Sequence, residues 1–415
     1  MTGNETGTDT TLNQNVTFNE GWRLYNERST ELKKEDEQVK MDFIAHTRSI
    51  REIEKLPPDE RPAIGCTCVD ERTTLHIVTG NGDLRVVPNR STREGESLTS
   101  TDSQKEEDMN IIRINTLAGG TEFLEDSDIR DIILMSNGNI TINSHRLCGW
   151  GEVIFEEILK TGKVDGYNRI NKSIGIALQE DDTFRNAYKE DFDSLGLSTR
   201  DFLKMANKYV NARFWALEDD MQNEKEASVG KVDLDELFGL GGENSKRLEE
   251  LILQAFVHGK TLKLRSRFHE MYQKMINVNE VVENLPDHLN VVTVIDKLEE
   301  ASSRHTGRHG VINMTQDRVV TSRFPVNGSD AYFARVGTLK AFDLTNLLFN
   351  IMEGSHSETQ DDQHIIHIFF DDEASMNDME NRLKGLTEDN ETRRIVFHLI
   401  NEEEIQKASP LPSAV

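Results

Sequence analysis

Two short apolar runs, each delivering metal-capable side chains at its end, constrain this chain more than any other feature. In Ala63-Ile64-Gly65-Cys66-Thr67-Cys68-Val69-Asp70, small and β-branched residues precede a polar tip, the pattern of a buried strand ending at its carboxyl edge. Gly138-Asn139-Ile140-Thr141-Ile142-Asn143-Ser144 is a second short strand. It delivers His145 and Cys148 before Gly149-Trp150-Gly151 turns into an apolar-periodic helix, Val153 to Leu159. Open α/β sheets keep their chemistry at the carboxyl edge of the strands. Neighbouring strand ends can therefore present Cys68, His145 and Cys148 to one ion. Two thiolates and an imidazole suit zinc and leave a fourth tetrahedral position for water or a carboxylate.

The motifs around these residues resemble those of the β-class carbonic anhydrases. Cys68-Val69-Asp70-Glu71-Arg72 matches that family's Cys-x-Asp-x-Arg, and His145-Arg146-Leu147-Cys148-Gly149 matches its His-x-x-Cys-Gly. Between them, Asn110 to Gly120 is similar to the family's Arg-Asn-Ala-Gly-Gly strand and turn, with two residues inserted. Asp128 to Leu134 is similar to the helix before the ligand strand. The resemblance covers residues 60 to 162. A polar stretch from Ser91 to Asp108, longer than the family's usual connection, reads as a solvated loop.

The resemblance implies a fold: an α/β architecture with a mostly parallel sheet flanked by helices. It also implies an activity, the zinc-dependent reversible hydration of carbon dioxide to bicarbonate and a proton, with Cys68, His145 and Cys148 as the zinc ligands. Zinc lowers the pKa of a bound water toward ~7. Asp70 would either accept a hydrogen bond from that water or fill the fourth position itself in a closed state, with Arg72 holding it ionised. Asp70 and Arg72 are thus the catalytic candidates. Two other readings use the same ligands: a zinc hydrolase of carbon disulfide or carbonyl sulfide, and a catalytically inactive zinc-stabilised scaffold. The intact Asp70 and Arg72 favour an enzyme, since a purely structural site has no use for them. Cys66 reads as a small buried hydrophobe. His76, His258, His364 and His367 lack any partnering pattern and read as structural or exposed.

Charge and cysteine usage narrow the setting. The formal net charge of -26 argues against nucleic acid or an anionic membrane as partner, because neutralising phosphates takes basic surface. No apolar run approaches the roughly 20 residues of a membrane span, and the N-terminus lacks a signal pattern. Three cysteines, two of them wanted as thiolates, fit a reducing cytoplasm, alone or within a carboxysome-like compartment. The expected partners are the small-molecule substrate, further copies of the chain in a homo-oligomer, and proteins met through acidic arms or a microcompartment shell.

Along the 415 residues, the first 19 read as disordered and residues 20–58 as a helical arm stopped by Pro57-Pro58. In the family such an arm packs on a neighbouring subunit; its own domain is the other place for it. The zinc-binding core occupies 59–162. Residues 163–285 read as helical, strongest over Phe202 to Leu217 and Leu248 to Met275, with Gly239-Leu240-Gly241-Gly242 a helix break. Residues 286–405 return to an α/β rhythm, with strands Val291 to Asp296, Ala331 to Gly337, His364 to Phe370 and Arg394 to Ile400, and helices Phe342 to Met352 and Met376 to Leu386. Their order echoes the front of the chain, so this module reads either as a degenerate second copy without cysteine ligands or, with Val291 to Asp296 only the last sheet strand of the zinc-binding domain, as an unrelated α+β unit. A tail, 406–415, follows.

Overall fold

The computed structural model describes residues 34, 47–68, 75–78, 82–87, 111–116, 124–161, 163–179, 182–223, 230–278, 285–296, 309–313, 315, 318–320, 333–335, 364–386 and 395–401. Asp70, Arg72, the Ser91 to Asp108 stretch, the Phe342 to Met352 helix and most of the N-terminal arm lie outside them. Where the arm is described, it departs from a continuous helix. Thr47–Ser49 (β1) is a strand and Ile50–Glu54 (α1) a short helix after it. The strand pairs antiparallel with Arg318–Val320 (β9), a contact with the far part of the chain that helical spacing could not show.

Each apolar run becomes a strand of one eight-stranded sheet, every neighbouring pair of which is parallel. Its strands are Ala63–Cys68 (β2), Ile111–Thr116 (β5), Asn139–His145 (β6), Asn290–Asp296 (β7), His309–Asn313 (β8), Phe333–Arg335 (β10), His364–Phe370 (β11) and Ile395–Asn401 (β12). They lie in the order β12-β11-β8-β10-β5-β2-β6-β7. Every residue of β2 is buried, as a strand covered on both faces requires. The α/β expectation therefore holds, with a parallel sheet flanked by helices.

Val291 to Asp296, read either as the first strand of the C-terminal module or as the last of the zinc-binding domain, lies in β7, which pairs along its whole length with β6 and closes the front set of strands. The front set then runs β5-β2-β6-β7, which in chain order is second, first, third, fourth. The C-terminal strands β10-β8-β11-β12 repeat that order from His309 onward, and the two sets abut through β5 and β10. The register repeats as well: Cys66 lies between Ile114 and Ile142, and Ile312 between Ala334 and Ile368.

Strand alternation sorts the side chains between two coverings. Ile64, Cys66, Ile112, Ile114, Ile140 and Ile142 bury against helix Asp126–Met135 (α2) and the second half of a 36-residue helix, Gly242–Asn277. On the intervening positions Ala63 and Ile111 meet Ile77 of a hairpin, Leu75–Val78 (β3) and Leu84–Val87 (β4). That hairpin docks through side chains of β6. Thr141 Oγ1 accepts from Val78 N–H at 3.0 Å, and Asn143 Oδ1 accepts from His76 N–H at 3.2 Å. Asn143 also donates to the Cys66 and His76 carbonyls, so one buried amide ties β2, β3 and β6 together.

The described helices that follow are Val164–Gln179 (α4), Asp182–Ala187 (α5), Lys189–Leu195 (α6), Thr199–Gln222 (α7), Leu234–Phe238 (α8) and Gly242–Asn277 (α9). Gly149–Lys160 (α3) precedes them, and Glu373–Leu386 (α10) follows β11. Helix α9, about 54 Å long at 1.5 Å per residue, joins the two cores. Leu248 to Val257 pack with α3, α4 and α7, and Leu264, Phe268 and Tyr272 pack over the strands. Gly259 permits the closest helix crossing, because a Cβ there would overlap the Ser173 carbonyl of α4.

Candidate metal centre

Three residues separated by up to eighty positions converge where β2 and β6 end. Cys68 is the last residue of β2 and His145 the last of β6, while Cys148 caps the N-terminus of α3 three residues on. All three are buried, at 2 %, 2 % and 4 % exposure. Their ligand atoms lie within 4.8 Å of one another. A tetrahedral ion with Zn–S near 2.3 Å and Zn–N near 2.0 Å holds its ligand atoms roughly 3.3–3.8 Å apart, so small side-chain rotations bring this trio into range. The buried Cys68, His145 and Cys148 group could thus hold a metal ion.

Local structure prepares each ligand. His145 Nδ1 lies 2.7 Å from the Arg146 carbonyl, which can only accept, so Nδ1 carries the proton and Nε2 is the nitrogen that could ligate an ion. Cys148 is the N-cap of a 12-residue helix, at the positive end of its dipole. The turn between them runs through Leu147 at φ +56°, a left-handed conformation costing a β- or γ-branched residue about 1 kcal/mol or more. It is the only non-glycine with positive φ among the described residues. Gly151 lets α9 close over this turn, since a Cβ there would overlap the Val257 side chain.

Charged and aromatic groups surround the ligands. The Arg146 guanidinium sits 4.0 Å above the Tyr188 ring and 3.9 Å from Asp191, which also meets Arg247 at 2.5 Å. Burial pushes the Tyr188 phenol upward, with Arg146 opposing. On the neighbouring strand Asp296 is in register with His145, and its carboxylate lies 3.4 Å from His76 Nε2. His76 Nδ1 is buried without a hydrogen-bond partner among the described residues.

Sequence reasoning thus placed the three metal-capable residues together, and the structure shows them together. Asp70 and Arg72 follow directly after β2 but fall outside the described residues. Cys66 belongs to the core with Ile64, Ile114 and Ile142, and burial pushes its thiol up to about 12. His258 is buried and stacks on Phe184 at 5.8 Å between ring centroids. His76 and Asp296 were missed. Asn81-Gly82 between two apolar tetrads was the available hairpin signal for His76. Among the described residues no helix is long and apolar enough to cross a membrane. Comparisons of the chain with family models, with curated proteins and with solved structures found no match.

Proposed function

We propose that this chain is a zinc enzyme that hydrates carbon dioxide reversibly to bicarbonate and a proton. One observation carries the reading: two buried cysteines and a buried histidine meet within 4.8 Å at the carboxyl edge of a parallel sheet. The resemblance of the flanking residues to β-class carbonic anhydrases supports it, as does a donor set suited to zinc. Cys68, His145 and Cys148 would hold the ion. When bound, zinc supplies a Lewis acid that makes hydroxide available near neutral pH.

The protein's own groups have distinct tasks. The Arg146 carbonyl keeps the His145 proton on Nδ1, and the buried surroundings exclude bulk water from the ligand sulfurs. His76, whose Nε2 lies 3.4 Å from Asp296, is assigned the transfer of the proton away from the site. Asp70, two residues past a ligand, is assigned the hydrogen bond that orients the attacking oxygen, and Arg72 the charge that keeps Asp70 ionised.

Stopped-flow hydration of carbon dioxide, on protein with its zinc quantified, tests this function. Activity with bound zinc, lost in Cys148→Ser and lowered by about 10²-fold or more in Asp70→Asn, is the expected result. Bound zinc with no hydration between pH 6.5 and 9 would overturn it in favour of another small linear substrate or a zinc-stabilised scaffold.

A further inference from the structure

Helix α9 is buried on every side from Leu251 to Gly259, and two polar side chains lie in that stretch, Gln254 and His258. Gln254 is 7 % exposed. It begins a stripe of residues at intervals of three and four, continued by Val257, Thr261, Leu264, Phe268 and Tyr272. The later members of that stripe cover the strands. Thr261 meets Ser144, the residue before His145, through a 2.8 Å hydroxyl contact. Two turns further toward the N-terminus of α9, Gln254 therefore reaches the turn that follows β6.

The amide complements that turn group by group. Its nitrogen donates to the His145 carbonyl at 3.0 Å, and its oxygen accepts from Leu147 N–H at 3.0 Å and from Cys148 N–H at 3.2 Å. The neighbours fix this orientation: the reverse would set oxygen against a carbonyl and nitrogen against two N–H groups. The same nitrogen lies 3.4 Å from Tyr188 Oη, whose ring carries Arg146. Every one of these backbone groups belongs to a metal-capable residue or to Leu147, which joins them in the left-handed conformation.

We infer that Gln254 is a positioning residue for the metal centre, setting the separation between His145 and Cys148 rather than merely filling the core. This rests on reading Cys68, His145 and Cys148 as a metal site. A side chain that only stabilised the fold would leave the coordination geometry alone when replaced. One that spans the two ligand-bearing residues changes both affinity and the spectrum of a bound ion, as loss of groups supporting metal ligands does, by about 10–100-fold in affinity.

The test is a cobalt(II) titration of full-length protein, with zinc affinity measured by competition against a chromophoric chelator. It compares wild type, Gln254→Leu, the equal-volume Gln254→Glu, and Thr261→Val. The last removes a buried hydrogen bond from the same helix to β6 without touching the ligand turn. Folding of each variant is followed by circular dichroism and melting temperature. The expected result is a 10–100-fold weaker zinc affinity and altered cobalt ligand-field bands in either folded Gln254 variant, with both unchanged in Thr261→Val at a comparable loss of melting temperature. Wild-type affinity and bands in a folded Gln254 variant overturn the positioning role, as do equal changes in Thr261→Val. Wild-type protein that binds neither ion sinks the metal reading itself, a distinct outcome that removes the positioning role with it.

Discussion

Burial and register sort the three cysteines more sharply than residue type does. Cys66 lies among isoleucines with its thiol held neutral, whereas Cys68, two residues on, reaches the strand end beside His145 and Cys148. Cys66→Ala should therefore keep the full metal content and cost about 1 kcal/mol for the lost sulfur, read from a urea midpoint beside zinc analysis. Metal loss in Cys66→Ala equal to that in Cys68→Ala would refute this division. His76 gives a second prediction on the carbon dioxide reading. His76→Ala should slow hydration by about tenfold or more, and millimolar imidazole in the buffer should restore much of it. A slow variant that imidazole leaves slow would assign the His76 ring to holding the hairpin against Asp296.

Helix α9 is the element on which the architecture turns. Its crossing with α4 at Gly259 sets two effects against each other: alanine in a helix interior gains about 1 kcal/mol over glycine, while a Cβ pressed into a backbone carbonyl costs 1–3 kcal/mol or more. The carbonyl cannot swing away as a flexible side chain would, so Gly259→Ala should lower the melting temperature by a few degrees, and a rise would refute the tight crossing. The next residue carries a pH dependence. Burial pushes the Lys260 amine down to about 7, with Lys263 adding to the shift, and the Phe256 ring at 4.9 Å compensates only part of the charge. Between about pH 7 and the ordinary lysine value near 10.5, the unfolded chain holds a proton that the folded chain releases. Stability from this group is therefore complete above that window and lost as pH falls through it. Lys260→Met should abolish the gain, so urea unfolding at pH 7 and pH 9 should show wild type rising relative to the variant. Parallel behaviour of the two proteins would exclude the effect.

At the scale of the whole molecule, two sets of four parallel strands share one sheet in the same internal order, and all three cysteines belong to the first set or its flanking turn. One metal ion per chain is the expected stoichiometry by elemental analysis, and two would refute a single centre. Chelation should also lower the melting temperature, because an ion bound only by the folded state stabilises it by mass action. The strands of this sheet were legible wherever small, β-branched or aromatic residues dominated a short run, as in Ile64 to Cys68 and His364 to Phe370, and α7 and α9 were legible from their periodicity. The ligand trio was legible because each member stands in a multi-residue motif. The partnership of β7 with β6, the short strand β8, and the hairpin that carries His76 were not, since the residues that fix them lie far apart in the chain. Gln254 was visible only as an amide in an apolar stretch, with nothing to say which carbonyl it would face. By itself, then, the sequence determined the periods of its elements and the chemistry of its three metal-capable residues, properties written in neighbouring residues. Which strands adjoin, and which side chain of α9 meets the ligand turn, the tertiary structure alone decided, because backbone hydrogen-bonding edges are alike from strand to strand and only packing across the whole core distinguishes them.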